Sequence, residues 1–193
     1  RGPEAGAMMQ ELSMNVLDVA ENSVRAGATL IEITVDEQPA RDEITIVIAD
    51  NGCGMTPEQV QSVTDPFFTT RTTRKVGLGV PFFKLAAEIT GGSFDIQSQV
   101  GKGTAVTAKF VRSSIDRMPL GDMNETIISL IACNETLDFL YTRRFGADEL
   151  VLDTREFRAQ LGDVPLTEPK VAKFIREFLQ ENTAELLAGH ENE

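Results

Sequence analysis

The apolar residues of this chain change period repeatedly before residue 112, and the order of those changes limits what it can fold into. From Met9 to Ala26, Leu12, Val16, Leu17, Val19, Ala20 and Val24 recur at helical spacing, and Gly27 follows as a stop. Two runs rich in branched side chains come next, Thr29 to Asp36 and Glu43 to Asp50, turned at Gln38 to Asp42 and predicted as strands. Thr56-Pro57-Glu58 opens a short helix, since Thr caps an N-terminus and Pro is tolerated in a first turn; it ends before Asp65-Pro66. Helical spacing resumes from Val80 to Thr90 through Phe83, Ala86, Ala87 and Ile89. Beyond Gly91-Gly92, Phe94 to Gln99 and Thr104 to Val111 alternate about Gly101-Lys102-Gly103, which predicts a hairpin.

The length of 193 residues, 41% hydrophobic, suffices for one domain of ordinary size and a smaller one. With 18 Lys and Arg against 30 Asp and Glu, the formal charge is −12, which argues against nucleic acid or an anionic membrane as partner; any anion must be held locally. Cys53 and Cys133 lie far apart without CxxC spacing and His190 is the single histidine, a composition that rules out a zinc cluster and speaks against a disulfide framework. The longest apolar runs, such as Ile44 to Ala49 and Ile127 to Ala132, fall well short of the roughly 20 residues that cross a bilayer. Arg1 to Ala7 has no signal-peptide core. A cytoplasmic protein is expected, with residues 1–8 a disordered start or an expression remnant.

Composition shifts after Arg112: residues 1–112 carry 10 basic and 14 acidic groups, residues 113–193 carry 8 and 16. A linker is expected over 113–122, from Ser113-Ser114 through Pro119 and Gly121, and a small α/β accessory domain over 123–193. The expected elements there are strands from Thr126 to Cys133, Phe139 to Arg144 and Glu149 to Leu152, and a helix from Pro169 to about Leu187. Val171, Phe174, Ile175, Phe178 and Leu179 sit at core spacing on that helix, which fits either packing on the preceding domain or a partner-binding or dimerising role.

Four polar or glycine-bearing segments interrupt this pattern. Asp18 and Asn22 are four apart and share a helix face; an amide oxygen suits a magnesium ion and a carboxylate one turn earlier suits a base, though a solvated face fits the pair as well. Asp50-Asn51-Gly52-Cys53-Gly54-Met55 ends a strand: Asp50 can accept from an adenine amine and Gly52 and Gly54 permit close backbone approach, while a plain tight turn explains the same residues. The third segment runs from Asp65-Pro66-Phe67-Phe68 through Thr69 to Val80, with Arg71, Arg74 and Lys75 before Gly77-Leu78-Gly79. It reads as an anion-binding loop entering a helix, or as an exposed basic loop, and it contains neither a Rossmann fingerprint nor a Walker loop. In Gly101-Lys102-Gly103-Thr104, the Thr104 hydroxyl can reach an adenine edge, or the segment is a hairpin turn alone.

In this order and spacing the four segments resemble the GHKL superfamily, whose members include gyrase, heat-shock chaperone, histidine kinase and mismatch-repair ATPases. Over residues 9–112, Asp18 and Asn22 match the N box, Asp50 to Gly54 the DxGxG box, and Asp65 to Thr70 the phenylalanine box. Gly77 to Gly79 match the second glycine box and Gly101 to Thr104 the final GxGT. The resemblance implies the α/β class, a two-layer α+β sandwich of the Bergerat type, its mixed and mainly antiparallel sheet covered on one face by helices. It implies Mg-ATP as ligand, with Asn22 on the metal and Asp18 as the catalytic carboxylate. Asp50, Gly52, Gly54, Met55 and Thr104 would meet the nucleotide, together with Thr70, Arg71, Thr72, Thr73, Arg74, Lys75, Val76, Gly77, Leu78, Gly79 and Val80. The stretch from about Thr69 to Val76 would be a lid.

Two departures stand out. Many hydrolysing members carry Glu where this chain has Asp18, and the residues Met8 to Glu11 ahead of the first helix hold no phosphoacceptor histidine. His190 is expected in a disordered tail. The whole chain, with Asp153 to Glu156 and Leu161 to Leu166, also resembles stand-alone histidine-kinase-like ATP-binding proteins found near iron-hydrogenase genes in anaerobic bacteria, which implies a regulator or assembly factor. Two functions follow as expectations: phosphoryl transfer to a protein in trans or slow ATP hydrolysis, and a nucleotide-gated binding module without turnover. A protein partner and a homodimer are both compatible with the sequence.

Overall fold

The computed structural model describes residues 11–65 and 78–190; the start at residues 1–8 and the run from Pro66 to Gly77 lie outside the described residues. Helix α1 (Leu12–Arg25) leads to strand β1 (Leu30–Gln38), a 3-10 turn at Pro39–Arg41, and strand β2 (Glu43–Asp50). Helices α2 (Pro57–Thr64) and α3 (Gly79–Glu88) precede the hairpin β3 (Ser93–Gln99) and β4 (Gly103–Val111). Then come α4 (Met123–Cys133), β5 (Asp138–Phe145), β6 (Asp148–Asp153), α5 (Thr154–Leu161) and α6 (Pro169–Ala188).

The six strands form one sheet in the order β3-β4-β2-β1-β5-β6, antiparallel except where β5 runs parallel to β1. One face is covered. Ile31, Ile33 and Val35 on β1, Ile44, Ile46 and Ile48 on β2, and Val106, Ala108 and Phe110 on β4 are buried, and their neighbours in sequence point the other way. Burying one such aliphatic side chain contributes about 1.5–3 kcal/mol, against about 1 kcal/mol net for a hydrogen bond. A slip of one residue would turn the whole set outward, so side-chain burial sets the register that pairs Ile33 with Ile48 and Ile48 with Val106.

The N-terminal elements form where the apolar periods place them, and the expected cap on α2 is present: Thr56 Oγ1 accepts from Gln59 N while the Gln59 side chain accepts from Thr56 N. The C-terminal part corrects the expectation in two places. Thr126 to Cys133, expected as a strand, belongs to helix α4. Its buried residues Met123, Thr126, Ile127, Leu130 and Ile131 follow a helical period, and Asp122 caps it by accepting from Glu125 N. A run of branched residues this short carries both periods, and the cap decides between them. Helix α5, capped by Asp153, stands where the sequence reading placed no element.

Strands β5 and β6, from the segment expected as an accessory domain, extend the same sheet, and Phe139, Tyr141, Leu150, Leu152, Ile175 and Leu179 join the same core. In the 113–122 stretch, the Pro119 and Leu120 carbonyls accept from Leu12 N and Ser13 N at 2.9 Å each, fastening it to the start of α1. A partly buried ion cluster ties the two halves. Glu37 of β1 accepts from Arg112 Nε at 2.8 Å and from Arg143 Nη2 of β5 at 2.9 Å, and the Arg112 guanidinium lies over the Phe145 ring. Against expectation, His190 is ordered: its ring lies 4.7 Å from that of Phe145, and its Nε2 pairs with Asp148 at 2.9 Å. Among the described residues no helix is long and apolar enough to cross a membrane.

Candidate functional site

Three of the four sequence segments meet at one end of β2 and β4, on the border with α1. Asp50 closes β2 opposite Thr104 of β4. Its carboxylate accepts from Gly52 N at 2.8 Å through Oδ1 and from Ser23 Oγ at 2.6 Å through Oδ2. Ser23 is buried on α1, next to Asn22, so this bond joins the helix that carries Asp18 to the strand end. A carboxylate offers about four acceptor sites, and two remain on the half-buried Asp50 for an amine of a ligand.

The loop after Asp50 is held by its own surroundings. Asn51 Oδ1 accepts from Thr29 N and Leu30 N at 2.8 and 3.0 Å, and its Nδ2 donates to Thr29 Oγ1, fixing the start of β1. A Cβ on Gly52 would come 2.9 Å from both the Cβ and the carbonyl oxygen of Ala26, so glycine there lets the loop pass the end of α1. Gly54, at φ +69°, adopts the left-handed conformation, and a Cβ on it would run into the Gln99 carbonyl of the hairpin. The loop is stitched to that hairpin by Gly101 N donating to the Cys53 carbonyl at 2.8 Å and Met55 N donating to Ser98 Oγ at 2.8 Å. Ser98 Oγ in turn lies 2.7 Å from Thr104 Oγ1. Asp50, Gly52, Gly54, Met55 and Thr104 are thus contiguous.

On α1, Asp18 is exposed and Asn22 half-buried one turn further on. Gly79, the first residue of α3, backs onto Asp18: a Cβ there would lie 3.0 Å from that of Asp18. This contact sets the acidic residue beside the start of a helix, where backbone N–H groups favour anions. Val80 is buried behind it and Leu78 is exposed before it. Asn22 Oδ1 accepts from Arg25 Nη2 at 2.5 Å, so the oxygen proposed for a cation already faces a guanidinium. Arg25 is exposed and able to turn away, and an amide oxygen fits a hard divalent ion, so the donor chemistry is compatible. Thr70, Arg71, Thr72, Thr73, Arg74, Lys75, Val76 and Gly77 lie outside the described residues.

The sequence reading did not single out Ser23, Arg25, Asn51 or Ser98. Ser23 and Ser98 act through partners 27 and 6 residues away. Asn51 was visible only as part of a turn; a signal lay in its place directly after a strand-ending aspartate.

A mixed sheet with helices on one face, and an Asp–Gly loop clasped between the polar face of α1 and a hairpin, define an ATP-binding domain of the Bergerat type. The chain belongs to the family of histidine kinase-, DNA gyrase B- and HSP90-like ATPases, whose model matches residues 6–114. It is 36% identical over 106 residues to the sensor protein SrrB of Staphylococcus aureus, a match that covers 52% of this chain and 18% of that protein. This chain therefore spans less than a fifth of that relative's length. Among solved structures it resembles the MutL ATPase domain of Aquifex aeolicus complexed with ADP, with a TM-score of 0.50 and 14% identity over 90% of this chain and 70% of that one. It also resembles the topoisomerase IV ATP-binding domain of Francisella tularensis in complex with a small-molecule inhibitor, with a TM-score of 0.50 and 16% identity over 75% and 88%. These two likenesses are of fold.

Proposed function

We propose that this chain is a cytoplasmic, histidine-kinase-like protein that binds Mg-ATP and transfers the γ-phosphoryl group to a protein partner in trans, with water as a slow alternative acceptor. Asp50 accepts from the adenine amine, with Thr104 beside it on the same edge. Asn22 would hold the magnesium, which would supply positive charge against the phosphates. Asp18 orients the attacking hydroxyl and takes its proton. The observation that carries this reading is the contact between Asp18 and Gly79, which joins the candidate base to a helix start able to hold an anion.

A second feature favours a protein acceptor over water. Leu78, Phe82, Leu85 and Ile89 follow one another at spacings of four, three and four, each about half exposed, on and beside the helix that begins at that contact. An apolar stripe running away from the base offers a docking track for a polypeptide; hydrolysis has no use for one.

The test is incubation with γ-labelled ATP, with and without candidate acceptor proteins. Label on an acceptor supports the proposal, and Leu85→Glu is expected to lower that labelling several-fold with ATP affinity unchanged. Free phosphate alone would make the chain an ATPase, and bound ATP without turnover would make it a nucleotide-gated module. The adenine assignment has its own check. Asp50→Ala removes the amine acceptor and strands Ser23 Oγ and Gly52 N, so the Kd for ATP by calorimetry is expected to rise about 10- to 150-fold, the equivalent of roughly 1.5–3 kcal/mol for a charged hydrogen bond. An unchanged Kd in a folded variant would refute the assignment.

A further inference from the structure

We propose that the groove between α5 and α6 is the contact surface of a twofold homodimer of this chain. The two helices leave between them a cavity of about 360 Å³, floored by Phe157, Leu161, Val171 and Phe174. Phe174 is 57% exposed although its ring packs edge-on to Phe157, 6.0 Å between centroids, and Val164, in the turn between the helices, is 44% exposed. The apolar surface is thus built around an aromatic pair that nothing among the described residues finishes covering.

The charges on the rims select the occupant. Arg155 and Arg158 of α5 pair with Asp153 and Asp138, and Lys173 of α6 pairs with Glu177. Glu156 on the α5 rim and Lys170 on the α6 rim make no ion pair among the described residues, and both are exposed. Among the residues that line the groove Glu156 is the one acid and Lys170 the one base, on opposite lips, so the lining is complementary to itself. A twofold axis running along the groove lays α5 of each copy over α6 of the other, so that Glu156 meets Lys170 of the second copy twice and the two Phe174 rings close over the apolar floor. An axis across the groove would instead set α5 on α5 and like charges face to face. The groove packs at the β5 and β6 end of the sheet, whereas Asp18, Asp50 and α3 gather toward β2 and β4, so the dimer leaves both candidate nucleotide sites open.

Sedimentation equilibrium on the full chain tests this, with circular dichroism confirming that each variant is folded. The wild type is expected to dimerise below about 100 μM, and Phe174→Asp to be monomeric in the same range. Glu156→Lys and Lys170→Glu are each expected to weaken the dimer about tenfold or more, and the double exchange to restore it to within about threefold of the wild type. A wild type that stays monomeric at about 100 μM overturns the proposal, and so does a dimer indifferent to these charge exchanges. Either result would turn the groove over to a different protein as its occupant.

Discussion

Asp18→Asn is expected to reduce turnover, whether read as acceptor labelling or as phosphate release, by about 10²- to 10⁴-fold, the usual contribution of a positioned general base. Asparagine has the same size, so the close approach of Gly79 to the Asp18 Cβ is kept and the variant should fold as the wild type does. Its amide cannot take the proton of an attacking hydroxyl. ATP affinity by calorimetry should stay within about threefold, because in the proposed arrangement Asp50, Thr104 and Asn22 hold the nucleotide and Asp18 does not. Turnover that survives the change would remove Asp18 from the reaction. Loss of binding and turnover together would make it a binding residue instead. Asp18→Glu is the informative companion, since it restores the longer carboxylate found in many hydrolysing members of the superfamily. A rise in phosphate release there would show that the shorter side chain holds hydrolysis back.

Removal of Glu37 should have the largest effect on stability. Arg143 is 5% exposed and its Nη2 finds its counter-charge in Glu37; Arg112 approaches the same carboxylate from the end of β4. Glu37→Ala leaves the Arg143 cation buried and unpaired, which costs about 3–5 kcal/mol and corresponds to a fall in Tm of roughly 6–20 °C for a chain of this size. The pH dependence has a definite sign. Burial pushes the Glu37 carboxyl up, but hydrogen bonds from Arg112 and Arg143, with their charge, outweigh it and hold the group below its ordinary value of 4.5. A carboxylate lowered by folding stabilises fully above that ordinary value, and the contribution is lost as pH falls through the lower folded-state value. The gap in urea midpoint between wild type and Glu37→Gln should therefore be constant from neutral pH down to about pH 5.5 and narrow in more acid solution. A gap that does not change with pH would show that the cluster acts by packing alone.

The elements up to Val111 were legible because each rests on local patterning. Ile44, Ile46 and Ile48 alternate, Thr56-Pro57 caps and opens α2, and Gly101 and Gly103 turn the hairpin, all within a few residues of chain. The candidate site was legible for the same reason: its acid, amide and glycines come in short runs whose residue types state their chemistry. Helix α4 was misread because Ile127, Ile128 and Ile131 satisfy a strand and a helix alike; the Asp122 cap and the packing of one face against α1 and α6 separate the two.

Other features were beyond any local pattern. The parallel pairing of β1 with β5 joins residues more than 100 positions apart, and no run of residues announces which strand will lie beside which. The same holds for Ser23 on Asp50, Asp18 against Gly79, and Glu37 between two arginines from distant strands. Periodicity and residue chemistry are properties of neighbours along the chain, so they could be read directly. Which of those neighbours become partners is settled by the burial of apolar faces, which brings far segments together and acts across the whole sheet at once.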